Sequence, residues 1–275
     1  MILVTGASGQ LGGRVARLLS EQGHETRLMV RNPDRAPRLS GAQVVAGDYE
    51  RPETLGAAFA GISRALIVSG HAEPMERAKL HRNAFVAAAE ARVDHVVYTS
   101  FQGASPDSKF PFARDHHQTE LYLQATGLPF TALRDNLYMD FIAEMFNEDG
   151  ILLGPAGQGK ACWVSRDDVA RCIVAALLDP DRFAGTHDVT GPEALSMSAT
   201  ARIVSEARGK ELRYENENME AGREWRSKYD VPAWEVECWL GSYAAIAFGE
   251  LQTPSDTVER MTGRVPLSVR EFFAR

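Results

Sequence analysis

Through the first half of the chain, short apolar runs alternate with segments of helical periodicity. The runs are Ile2 to Val4, Thr26 to Val30, Gln43 to Ala46, Ala65 to Val68, His95 to Tyr98 and Pro129 to Leu133. Helix-patterned stretches lie between them, notably Leu11 to Leu19, Pro74 to Ala91 and His116 to Ala125. The runs are continuously apolar rather than alternating, which is the mark of strands covered on both faces. Strand-then-helix repetition of this kind predicts an α/β fold with a doubly wound parallel sheet.

After Arg134 the rhythm breaks. A Gly-rich passage from Gly150 to Gly159 precedes a helix predicted over Arg166 to Leu178, whose start is signalled by Ser165 and by Asp167 and Asp168 in the first turn. A short strand near His187 to Thr190 and a helix near Ser196 to Ala207 follow. Trp-bearing helical segments are predicted around Glu224 to Gly249, then two short helices over Ser255 to Gly263 and Ser268 to Phe273. The division expected is a sheet domain over 1–150 and a smaller, mixed but mainly helical lobe over 151–275, interwoven with the first.

Composition alters this picture little. The chain has 275 residues, long enough for a substantial core, and a net charge of -7 that offers no diffuse attraction to nucleic acid or anionic lipid. Neither partner is expected. Cys162, Cys172 and Cys238 are widely spaced without a CxxC pair, so neither a disulfide framework nor a metal site is predicted. With no basic leader and no apolar run of spanning length, the expected setting is the cytoplasm.

The chemistry begins at the first strand. Gly6, Ala7, Ser8, Gly9, Gln10, Leu11 and Gly12 follow it directly and open a helix, in a GxxGxxG pattern. A pyrophosphate needs close backbone approach at a helix N-terminus, where free N–H groups and the helix dipole complement its charge. This is therefore the predicted dinucleotide loop of a Rossmann sheet. The second strand ends on Arg31 with no carboxylate beside it, whereas an acid there would hold the ribose hydroxyls of NAD. A guanidinium pairs with a 2′-phosphate, so NADP(H) is the predicted cofactor, with Arg35 a weaker second candidate. Asp48 stands where it could meet the adenine amino group or merely cap its own turn, and both readings stay open. Ser69 and Gly70 end the fourth run and should face the cofactor.

Beyond the loop, the segments TGASGQLGG, VRN, GDYERPETL, VSG and LRDNLYMDF together resemble the NmrA-like group of atypical short-chain dehydrogenases, in particular NAD(P)H quinone oxidoreductases and triphenylmethane reductases. The resemblance covers most of the chain. It implies NADP(H) held by Gly6 to Leu11 and Arg31, with Arg134 to Tyr138 lining the nicotinamide and substrate side and Asn136 placed for the cofactor amide. His116 matches a histidine of the quinone reductases, which implies a proton donor or substrate anchor; a surface histidine at a helix start is the competing reading. Tyr98 and Tyr138 are phenols within reach of the same crevice, with ring packing an equal explanation. Trp163, Trp225, Trp234, Trp239, Phe141, Met145 and Phe146 could wall an aromatic pocket or fill a core.

No tyrosine here is followed four residues later by lysine, so the usual proton-donating pair of short-chain dehydrogenases is absent. An isolated carbonyl needs such an acid as it is reduced, whereas a conjugated acceptor spreads the added charge. The leading expectation is an NADPH-dependent reductase of a small conjugated molecule such as a quinone. Competing readings are a ketone, enone or imine reductase, a non-catalytic sensor of the NADP(H) redox state and, last, a lyase or isomerase with structural NADP. Whether the chain stands alone or as a homodimer is left open.

Overall fold

The computed structural model describes residues Met1–Arg275. Seven strands form one parallel sheet: β1 Ile2–Thr5, β2 Thr26–Val30, β3 Ala42–Ala46, β4 Arg64–Ile67, β5 His95–Phe101, β6 Phe130–Asp135 and β9 Gly185–Val189, in the spatial order 3-2-1-4-5-6-9. The strand order reverses between β1 and β4, and ligands of open α/β sheets bind at the carboxyl ends of strands beside such a reversal. All seven residues of β5 are buried, which explains its apolar run.

One face is covered by α1 (Gln10–Glu21) and α5 (Arg166–Leu178), the other by α2 (Leu55–Phe59), α3 (Glu76–Glu90) and α4 (Pro111–Ala125). In α1 the buried Leu11, Val15, Ala16 and Leu19 form one stripe at helical spacing. Close packing of α1 on the sheet depends on Gly12: a Cβ there would stand 2.4 Å from the Gly6 carbonyl oxygen. The α5 N-terminus is capped by Ser165, which accepts from the Asp168 amide.

A separate apolar cluster lies beyond the sheet's carboxyl end. It is framed by two small sheets, β7 (Ile151–Gly154) parallel to β11 (Arg213–Asn216) and β8 (Lys160–Ala161) antiparallel to β10 (Leu195–Ser196). Around them pack α6 (Met197–Arg208), α7 (Met219–Arg226), α8 (Ala233–Ala247) and α10 (Val269–Phe273), while α9 (Thr257–Thr262) lies against α5. The segment expected as helical around Glu224 to Gly249 is two helices with Pro232 between them. Residues 185–189 complete the main sheet, so the two parts of the chain share it. No helix is long and apolar enough to cross a membrane.

Candidate functional site

The loop after β1 is built to leave backbone donors free. Gly6 adopts φ +59°, a left-handed conformation that a side chain would strain. The α1 N-cap is Gly9, with no side-chain cap and no acid in the first turn. The amides of that turn have no intrahelical acceptors and no side-chain cap, so they are available to an anion. Ala7 and Leu11 turn into the core, and Gln10 accepts from Arg14 at 3.0 Å, so these three reach the loop through their backbone.

Gly6, Ser8, Gly9, Arg31, Asp48, Ser69 and Gly70 line one cleft of about 280 Å³ across the carboxyl ends of β1, β2, β3 and β4. Arg31 is exposed at one end and enters no ion pair or hydrogen bond with the protein. Arg35 is not among the lining residues. Asp48 fits both of its readings: it faces the cleft, yet its carboxylate accepts from the Glu50 amide at 3.1 Å and lies 3.7 Å from Arg51. A phosphate-bearing dinucleotide fits this cleft: the uncapped helix turn would hold the pyrophosphate and Arg31 a terminal phosphate.

Sequence reasoning missed Tyr49 and the buried groups that hold the β4 end. The Tyr49 hydroxyl lies 2.6 Å from Thr5 Oγ1, which accepts from the Val68 amide at 2.9 Å. The Ser69 amide donates to Thr99 Oγ1 at 2.7 Å. Gly70 is gripped twice from α3, its amide donating to His81 Nε2 at 2.8 Å and its carbonyl accepting from Arg77 Nε at 2.7 Å. Both backbone groups of the turn are thus fixed by side chains from within.

His116 belongs to this bracing rather than to the cleft. It is 4% exposed, with Nε2 2.8 Å from Arg77 Nη2 and Nδ1 2.8 Å from the Tyr98 hydroxyl. Arginine can only donate, so Nε2 accepts and the ring proton sits on Nδ1, which donates to Tyr98. Burial, with Arg77 adding to it, pushes His116 well below the ordinary imidazole range, and the same two causes act on His81. A neutral ring with both nitrogens engaged behind the wall does not match the expectation of a proton donor or substrate anchor. Tyr98 is wholly buried beside it. Replacing Arg77 with alanine is expected to weaken NADPH binding about tenfold, because the Gly70 carbonyl and His116 lose a charged donor in a buried place. Titration of cofactor against intrinsic fluorescence measures this; unchanged affinity would sink the bracing role.

Arg134 and Asn136 line neither large cleft. Arg134 is paired through two hydrogen bonds with Glu120, at 2.8 and 2.6 Å, and Glu120 also accepts from Ser100. The Asn136 amide donates to Gln102 and to the Leu251 carbonyl, and its oxygen accepts from the Leu137 amide. These bonds brace Arg134 against α4 and Asn136 against the Leu251 segment, and neither side chain lines a cleft, which does not match the expected contacts with nicotinamide.

Tyr138 does reach a cleft, a second one of about 510 Å³ between the sheet's carboxyl end and the C-terminal helices. Of its 17 lining residues 14 are hydrophobic, among them Phe112, Phe141, Trp163, Trp225 and Trp239, so the walls suit a flat apolar molecule. Trp234 and Phe146 stay outside the lining. Arg226, one of its two charged side chains, donates to Glu217 and to the Leu153 carbonyl at 2.8 Å; the other is Glu144. The two clefts lie side by side: His71 of the first stands edge-on to Phe112 of the second, ring centroids 6.2 Å apart. All three cysteines are buried, and burial raises their thiols, Cys238 to about 12.

A parallel sheet with an uncapped glycine turn at its strand reversal and an apolar chamber alongside defines a dinucleotide-dependent oxidoreductase. The chain belongs to the NAD(P)H-binding family, whose model matches residues 6–180. It is 30% identical to the NAD(P)H azoreductase of Xenophilus azovorans, over 99% of this chain and 96% of that one. Its fold is similar to the triphenylmethane reductase of a Citrobacter species complexed with NADP(H), with TM-score 0.88 and 30% identity over 100% of this chain and 99% of the other. It is also similar to the Escherichia coli NADPH-dependent quinone oxidoreductase complexed with NADPH, with TM-score 0.89 and 27% identity over 100% and 99%.

Proposed function

We propose that this protein uses NADPH in preference to NADH to reduce planar, conjugated aromatic acceptors, with quinones and azo or triarylmethane dyes as the substrate class. The observation that carries the reading is the aromatic chamber lying beside the dinucleotide cleft, with Phe112 of the one against His71 of the other. Three of its relatives are reductases of such compounds by name, which agrees with a chamber whose walls offer ring faces and few free polar groups. An aliphatic ketone would find little there to orient it.

Bound NADPH would supply a hydride, two electrons with one proton; the chain binds, orients and shields. Backbone amides of the α1 turn and Arg31 would hold the phosphates, the His81 and Arg77 bonds fix Gly70 in the cleft wall, and the aromatic walls would hold the acceptor flat and exclude water. The test is absorbance loss of NADPH and NADH with a panel of naphthoquinones, azo dyes, triarylmethane dyes and aliphatic ketones. Oxidation of NADPH by the aromatic acceptors alone is expected. Binding of cofactor with no acceptor reduced would instead favour a sensor.

Trp239, half-buried in the chamber wall with Tyr229 edge-on at 5.8 Å, gives a second check. Trp239→Ala is expected to raise KM for a naphthoquinone about tenfold while NADPH affinity stays put, since a stacking face is lost from one cleft only. Equal losses in both would mean that the chamber is not the acceptor site.

A further inference from the structure

Asp135 ends β6, where its register partners are Phe101 on β5 and Val189 on β9. It is 5% exposed and enters no salt bridge. Its Oδ2 accepts from the hydroxyl of Tyr138, whose ring lines the aromatic chamber. That ring is pinned from behind by the Arg166 guanidinium, 4.7 Å from its centroid, and Arg166 is itself fixed by Asp140 at 3.4 Å. A buried carboxyl without an ion pair, bonded to a phenol at the chamber wall, has no evident purpose in holding the fold.

We propose that Tyr138 and Asp135 are the acid of the aromatic chamber, Tyr138 giving its phenolic proton to the reduced acceptor and Asp135 replacing it. The inference rests on the reductase reading above and names the proton source that the missing Tyr-x-x-x-Lys pair leaves open. A quinone or azo acceptor that has gained a hydride, two electrons and one proton, carries one extra negative charge on oxygen or nitrogen, whereas a cationic triarylmethane dye becomes neutral and calls for no proton. The Tyr138 O–H bond breaks as a new O–H or N–H bond forms on that atom. The phenolate then takes the proton of the Asp135 carboxylic acid, and the carboxylate left behind recovers one from solvent, so each turnover consumes one solvent proton. While Asp135 is ionised the phenol donates to it. Once Asp135 is protonated the same contact reverses, and the phenolic hydrogen is free to face the chamber.

The charged and titratable groups around the pair set the pH at which this happens. Burial pushes the Asp135 carboxyl up to about 7, outweighing the opposing pull of the Tyr138 hydrogen bond, of Arg77 from α3 and of Arg166 from α5. Tyr98 faces it from β5, and Asp140 faces Tyr138. The acid form is present below that pH and is lost above it, so kcat for a naphthoquinone should fall as pH rises through about 7.

The experiment compares wild-type protein with Tyr138→Phe and Asp135→Asn. Tyr138→Phe is expected to lower kcat about a hundredfold, the ordinary worth of a positioned general acid, with NADPH affinity unchanged by fluorescence titration. Asp135→Asn should lower kcat about tenfold, leave KM within about twofold, and remove the fall with pH. In cofactor-free protein, the infrared carbonyl band of a buried carboxylic acid should titrate away near pH 7 and be missing from Asp135→Asn. An active wild type whose kcat survives Tyr138→Phe, or whose pH break persists in Asp135→Asn, overturns this proposal alone. A wild type that reduces no acceptor overturns the reductase reading, and the acid role falls with it.

Discussion

Gly12→Ala is expected to abolish NADPH binding at micromolar cofactor and to lower the melting temperature by about ten degrees, the effect of several kcal/mol in a protein of this size. The added Cβ would stand 2.4 Å from the Gly6 carbonyl oxygen, 2.8 Å from its carbon and 2.9 Å from the Thr5 oxygen. All three atoms are backbone, so no rotamer change can make room. Either α1 backs away from β1, or the turn of Gly6 to Gly9 opens. In both cases the amides at the start of α1 leave the line along which they face the cleft, and contacts between α1 and α5 loosen with them. Gly56→Ala is the control. No atom lies within 4 Å of its would-be Cβ and its φ is ordinary, so alanine should leave binding intact and stabilise α2 by up to about 1 kcal/mol. Thermal unfolding and cofactor titration of the two variants decide the matter. Similar behaviour would show that close approach at Gly12 is not what the loop requires.

The parts of this molecule that sequence made legible are those whose signal is local. Central parallel strands must be apolar throughout, so β2 and β5 announce themselves, and α5 begins where Ser165, Asp167 and Asp168 say it does. That Gly6, Gly9 and Arg31 come together at one cleft follows from equally local signals, a glycine turn after the first strand and a second strand end without an acid. Strand β11 reads Arg-Tyr-Glu-Asn and is mostly exposed, so only its pairing with β7 makes it a strand. The start of α4 at Pro111 lies five residues before the apolar pattern suggests, because its first turn packs Ala113 rather than a periodic stripe. In the site, the limit was the direction of side chains. His116 and His117 are neighbours in sequence, yet the first is buried against Arg77 and Tyr98 and the second is half-exposed. Asp135 sits between Arg134 and Asn136 in a motif that was legible, but its burial depends on strands from either side. Arg134 and Asn136 look like ligands for a cofactor until Glu120, Gln102 and Leu251 arrive from distant segments to occupy them.

Arg31→Ala should weaken NADPH binding by about ten- to a hundredfold, the worth of roughly 1.5–3 kcal/mol in hydrogen bonds to a charged group, and leave NADH binding within about twofold. Arg31 stands at the end of β2 on the rim of the dinucleotide cleft, exposed, with no carboxylate bonded to it, so a 2′-phosphate would not have to displace an existing partner. Asp48, which lines the same cleft, is engaged with the Glu50 amide and Arg51. The same exposure means that salt should erode the NADPH advantage, since a surface charge pair is screened within about 10 Å at 0.1 M ionic strength. Arg35, four residues on and outside the cleft lining, serves as the comparison: its removal takes away an equal charge without the position, and NADPH affinity should move little. Parallel titrations of both cofactors into the two variants, at low and high salt, separate a specific phosphate contact from general electrostatics. If Arg31→Ala weakens NADPH and NADH alike, the residue shapes the cleft rather than reading the phosphate; if it weakens neither, the preference for NADPH has another source or does not exist.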